Sequence, residues 1–126
     1  MAKSNFENLQ VYQLAEKLTD TIWDVVTEWS QFQKDTIGMQ LVRAADSVGA
    51  NIAEGAGRGS YKDNKKFVRI ARGSLYETKH FLRRAYKRKM LAQSQTEILA
   101  KITDELAPRL NAYLKSIGND KPATDN

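Results

Sequence analysis

The sequence predicts an all-α protein, an antiparallel up-down-up-down four-helix bundle, and three observations carry that prediction. Two prolines and seven glycines in 126 residues leave long segments without a breaker. The apolar residues recur at helical spacing along the chain, with no sustained strand-like alternation. The breaks between the periodic segments are short, and short connections between long helices favour antiparallel neighbours. Residues 1–118 read as one domain, long enough for a single core. The polar residues 119–126, with Pro122, read as a disordered tail.

The first helix is expected over about residues 6–29. Val11, Leu14, Ala15, Leu18, Ile22, Val25, Val26 and Trp29 form its inner face, and Tyr12 and Trp23 sit at the edge, placed to meet a neighbour. Residues 30–34 make the first connection, with Asp35 as the N-cap of the second helix. Wound at about 100° per residue, residues 37–55 show two apolar stripes. Ile37, Leu41, Ala44, Ala45, Val48 and Ile52 form one. Met39, Val42, Gly49, Ala50 and Ala53 form the other, broken only by Asp46. A helix apolar on two sides buries both. The first stripe faces its own core, and the second is expected to meet another copy of the chain. Tyr12 and Trp23 join that predicted oligomer interface.

Gly55, Gly57 and Gly59 close the second helix as a C-cap and tight turn, a role that uses positive φ. Ser60 and Asp63 have capping-box-like spacing and open a third helix of about residues 61–89. Its expected inner residues are Phe67, Ile70, Ala71, Ser74, Thr78, Phe81, Leu82 and Ala85. Arg43 and Glu77 lie nearly equidistant from the glycine turn, so their heights agree within about one helical turn. That register predicts a partly buried polar cluster in which Glu77 meets Arg43 or its seam neighbours Ser47, Asn51 and Glu54. Ser94 and Glu97 form a second capping box. The fourth helix behind it buries Leu99, Ile102, Leu106, Leu110, Tyr113, Leu114 and Ile117, is kinked by Pro108, and stops at Gly118.

The stretch from Arg43 to Ser60, RAADSVGANIAEGAGRGS, resembles the small four-helix-bundle proteins encoded within intervening sequences of bacterial 23S ribosomal RNA genes. Phe6, Leu9, Val11, Tyr12, Gln13 and Ala15 resemble that family's opening helix, and Phe67, Ile70, Ala71, Gly73, Ser74 and Glu77 resemble its third. The likeness spans roughly residues 6 to 117. It departs at Gln33, where the family pattern has proline, and in the fourth helix, which matches only as a hydrophobic pattern. The resemblance implies a left-handed up-down bundle, a ring-shaped homo-oligomer (a pentamer) and no established catalytic role. It also implies distant kinship with accessory variability proteins of diversity-generating retroelements, which work with RNA and a reverse transcriptase.

The formal charge of +5 is unevenly spread. Residues 58–89 carry twelve Lys or Arg against Asp63 and Glu77, a balance of +10, while residues 1–57 stand at −4. On the third helix Lys62, Lys65, Arg69, Arg72, Tyr76, His80, Arg83 and Lys87 share one side, with Lys66 beside them, over about 38 Å at ~1.5 Å per residue. Such a ridge suits a polyanion: phosphates bind through counterion release, and Tyr76 or His80 offers a stacking surface. Structured RNA is the expected ligand, with an RNA-acting enzyme as a possible second partner. Two alternatives stand beside this reading. The ridge is a solvated face on a ring that binds only protein, or it meets an acidic surface such as the −4 segment of a neighbouring subunit.

Other chemistries find little support. Residues 55–59 lead into a helix N-terminus, so Arg58 and Ser60 make a weak candidate anion seat. No strand precedes them, and neither the P-loop nor the dinucleotide spacing is met. His80 is the only histidine and cysteine is absent, so no metal or other cofactor is expected. Glu54 and Glu77 serve as arginine partners more simply than as an acid–base pair, Ser47 and Ser74 lack a base at recognisable spacing, and the scattered carboxylates argue against a nuclease. The chain is expected to be a non-enzyme. No run approaches the ~20 apolar residues that cross a bilayer. The N-terminus lacks a signal-like apolar segment, and the absence of cysteine suits a reducing cytoplasm.

Overall fold

The structure is a computed structural model and describes residues 5–118. The expectation of a disordered tail at 119–126 lies outside the described residues. Four long helices and no strand are present among them. α1 is Gln10–Thr27, preceded by a 3-10 turn at Asn5–Asn8. α2 is Met39–Ala56, α3 is Tyr61–Lys87 and α4 is Gln93–Ser116. α1 packs on α2, α2 on α3, α3 on α4, and α4 back on α1, enclosing one core.

Polar contacts show the register. The Trp29 indole, at the end of α1, donates to the Met90 carbonyl in the α3–α4 connection (3.1 Å). Arg109 of α4 donates to the Gln10 side chain at the start of α1 (2.6 Å). Midway along α1, the Thr19 hydroxyl donates to Asp46 of α2. The core takes Val11, Ala15, Leu18 and Ile22 from α1, and Leu41, Ala45, Val48 and Ile52 from α2. These are the inner faces that helical spacing predicts for both helices.

Helix starts differ from expectation for a local reason. The second helix is capped at Ser30, not Asp35: the Ser30 hydroxyl accepts from the Gln33 amide, and the Gln33 side chain accepts from the Ser30 amide. Gln33, the departure from the family's proline, completes this capping box. The backbone then runs helically through Gln31–Gln33 and a π-helical stretch at Lys34–Gly38 into α2. α4 begins before Ser94, because Gln95 reaches back to accept from the Ala92 amide (2.9 Å). It passes Pro108 without interruption and ends at Ser116, just short of Gly118.

α3 ends two residues early. Lys89 has φ 59°, and the amides of Lys89 and Met90 turn back to the carbonyls of Tyr86 and Ala85. This is a Schellman termination with lysine where glycine is usual. The buried side of α3 is also displaced from expectation. Val68, Ala71, Leu75, Thr78 and Ala85 are buried, Phe67, Ser74, Phe81 and Leu82 half-buried, and Ile70 exposed. The helix touches both α2 and α4, so its inner arc is centred between them, on Val68 and Leu75.

No glycine among the described residues has positive φ. Gly55 serves close approach instead. A Cβ there would lie 2.6 Å from the Asn64 side-chain oxygen, 3.0 Å from the Asn64 carbonyl and 3.1 Å from Phe67 Cβ. Gly73, exposed in mid-helix, has nothing within 4 Å of such an atom. Gly55→Ala is expected to lower stability by about 1–3 kcal/mol through overpacking. Gly73→Ala is expected to raise it by about 0.5–1 kcal/mol through helix propensity. Urea unfolding of the two variants checks both signs.

Candidate nucleic-acid interface

The outer side of α3 is set by its neighbours. On one flank the Ser74 hydroxyl meets the Ser47 hydroxyl of α2 (2.9 Å). On the other, the half-buried Arg72 donates to the Asn111 side chain of α4 (3.1 Å). Asn111 is neutral, so the Arg72 charge is positioned without being cancelled. The arc between these flanks points away from the core and carries Lys66, Arg69, Tyr76, His80, Arg83 and Lys87, all exposed.

Charge compensation on this arc is nearly absent. Two ion pairs appear among the described residues, Glu54–Arg58 (2.8 Å) and Glu105–Arg109 (3.2 Å), and neither involves α3. Lys66, Arg69, Lys79, Arg83 and Lys87 have no carboxylate within ion-pair distance among the described residues. Lys62 and Lys65, near the N-terminal end, already have interactions of their own. The His80 ring stands edge-to-face with Phe81 at 5.2 Å, and Tyr76 is half-exposed.

The anion seat is otherwise engaged. Arg58 pairs with Glu54 and lies over the Phe67 ring at 4.7 Å, and the Ser60 hydroxyl accepts from the Asp63 amide as the α3 N-cap. The polar seam differs from the expected register. Arg43 and Glu77 are both exposed and make no pair with each other. Their heights agree, but they project from helix sides that do not face one another. Small side chains occupy the interface: Asn51 donates to the Ser47 carbonyl (2.8 Å) and hydroxyl (2.9 Å), and Ser47 meets Ser74. Glu54 lies outside this cluster on Arg58.

The second α2 stripe borders two hollows against α1. Trp23, Val26, Gly38, Met39 and Val42 line one of about 350 Å3, with Trp23 58% and Met39 44% exposed. Tyr12, Gly49, Ala50 and Ala53 line the other, about 340 Å3, beside Glu16, Asp20 and Asp46. Gly49 is partly covered within the chain itself, because a Cβ there would meet the Tyr12 ring at 3.5 Å. Burial, then the negative charge of Glu16 and Glu7, raises the Tyr12 pKa above its ordinary value of 10.0, so its hydroxyl stays a donor at neutral pH.

Lys79 and Tyr86 belong to the α4 side of the same surface and are absent from the expected ridge. Their signal is a heptad row, Arg72, Lys79 and Tyr86, running beside α4. Among the described residues no group of three or more His, Cys, Asp or Glu gathers as metal ligands would, and no helix is long and apolar enough to cross a membrane.

The fold and surface define a class: a small all-α protein of four helices with one outer face almost wholly cationic. The model of the 23S rRNA-intervening sequence protein family matches residues 7–112, and the chain belongs to that family. A solved structure from Bacteroides thetaiotaomicron, a protein of unknown function from the S23 ribosomal protein family, superposes with a TM-score of 0.74. It is 21% identical and covers 84% of this chain and 99% of its own, which shows a shared fold. No curated protein matches the chain.

Ser74→Ala is expected to lower stability by about 0.5–1.5 kcal/mol, the net worth of a hydrogen bond. Arg43→Ala and Glu77→Ala are expected to stay within about 0.5 kcal/mol, as surface changes without partners do. Chemical denaturation of the three single variants distinguishes this cluster from an Arg43–Glu77 pair.

Proposed function

We propose that the protein is a cytoplasmic, oligomeric RNA-binding accessory factor, an up-down-up-down bundle that docks structured RNA on the outer face of α3. The observation that carries this reading is the run of exposed cations Lys66, Arg69, Arg83 and Lys87, none with a carboxylate partner among the described residues, with Arg72 held in place by Asn111. A solvated face normally mixes both signs, and mixed signs would hold counterions less strongly. Docking is electrostatic, with limited sequence preference, because few side chains converge for base readout. The α1–α2 hollows join copies of the chain through Trp23, Met39, Val42 and Ala53, and the family resemblance suggests a pentameric ring. A ring repeats the cationic face, so a weak contact per protomer gains through avidity. An RNA-acting enzyme is proposed as the second partner, on the distant retroelement kinship that the sequence resemblance implies.

The test is a titration of a structured RNA hairpin with wild type and with Arg69→Glu/Arg83→Glu/Lys87→Glu. Removal of several phosphate contacts is expected to weaken binding on the order of a hundredfold at moderate salt. Equal affinities would overturn the α3 reading. Light scattering tests assembly separately, with an oligomer expected at micromolar concentration and a monodisperse monomer contradicting it. An oligomer that binds no RNA would favour a ring that serves as a protein-interaction scaffold.

A further inference from the structure

An apolar groove of about 210 Å3 runs between α3 and α4, beside the cationic face. Leu82, Leu91 and Leu99 line its apolar interior. Tyr86 stands at its side, half-exposed, while Lys79 and Arg83 border it one helical turn apart on α3. On the α4 side, the hydroxyls of Thr96 and Thr103 donate to the carbonyls of Ala92 and Ala100, each at 3.1 Å. Their lone pairs remain acceptors.

Resting on the RNA-binding reading, we infer that this groove receives one unpaired base of the docked RNA, with Tyr86 alongside the base and Lys79 and Arg83 on the flanking phosphates. Size points to a single ring system, since the space is below the roughly 300–1,000 Å3 of sites that enclose larger ligands. Polarity points the same way: the interior is apolar and the charges stand at the border, matching a flat base between two anionic groups. Lys79 and Arg83 lack carboxylate partners among the described residues, so they are free to take phosphates. A fully paired duplex presents no free base, and the groove therefore selects bulges and loops, where RNA exposes its bases.

The experiment compares two RNA hairpins, one fully paired and one carrying a single unpaired 2-aminopurine. Wild type is expected to bind the bulged hairpin about tenfold more tightly, the scale of one stacked base, with a change in 2-aminopurine fluorescence. Ala100→Phe fills the groove from an exposed position. It is expected to abolish the preference and the fluorescence change while leaving affinity for the paired hairpin unaltered. Tyr86→Leu, which keeps an apolar side chain, is expected to reduce both signals. Equal binding of the two hairpins without a fluorescence change would overturn the groove inference and leave the α3 reading standing. Failure of wild type to bind either hairpin would overturn both. An acidic, leucine-bearing peptide that binds wild type but not Ala100→Phe, with the bulge preference intact in that variant, would overturn it in favour of an acidic protein segment.

Discussion

Gly55 brings α2 into contact with the backbone of α3, and that approach governs how α3 is turned about its own axis. With Asn64 and Phe67 pressed against the glycine, Val68, Ala71 and Leu75 fall into the core. The Ser47–Ser74 hydrogen bond, further along the same seam, holds the same orientation, and the Arg72–Asn111 bond sets the opposite limit. Turning α3 by one residue position, about 100°, would drive Lys79 and Arg72 toward leucines, where an unpaired buried charge costs several kcal/mol. The cationic face therefore points outward because of how the seam is packed. Its long reach follows from the 27 residues of α3.

Gathering so many like charges on one helix works against folding by self-repulsion. The burial of α3 on its other side offsets that penalty, and exposure lets water and salt screen the charges. The acidic residues gather elsewhere, with Glu16, Asp20 and Asp46 around the Tyr12 hollow on the α1–α2 side. The molecule is thus polarised, with a cationic helix on one side and apolar, partly acidic hollows on another. Under the proposed function, assembly and polyanion docking would use different surfaces, so that neither would block the other.

Much of this was readable from the chain. The inner stripes of α1 and α2 follow a clean helical period and appear as expected, and the cationic side of α3 is visible in residue order alone. The core of α3 was harder to read, because its buried arc lies between two neighbours. Val68 and Leu75 lie within it, whereas the larger Phe67 and Phe81 sit toward its α2 side and are only half-buried. Counting residues from the turn gave the heights of Arg43 and Glu77 but not their directions around the helix axes. The role of Gly55 emerges only when two helices are placed together, since its own φ is ordinary. Caps at Ser30 and Ala92 were hidden because the partner in each case is a glutamine reaching back. Tyr86 is not singled out by residue order because the groove beside it forms only when Leu82, Leu91 and Leu99, from α3, the connection and α4, are brought together.

The salt dependence of RNA affinity tests the proposed docking most directly, because it counts the phosphates that the α3 face would neutralise. Four contacts on the structured hairpin predict a slope of log K against log salt of about −3 to −4. A slope near zero, or the same slope after charge reversal at Arg69, Arg83 and Lys87, would contradict the account.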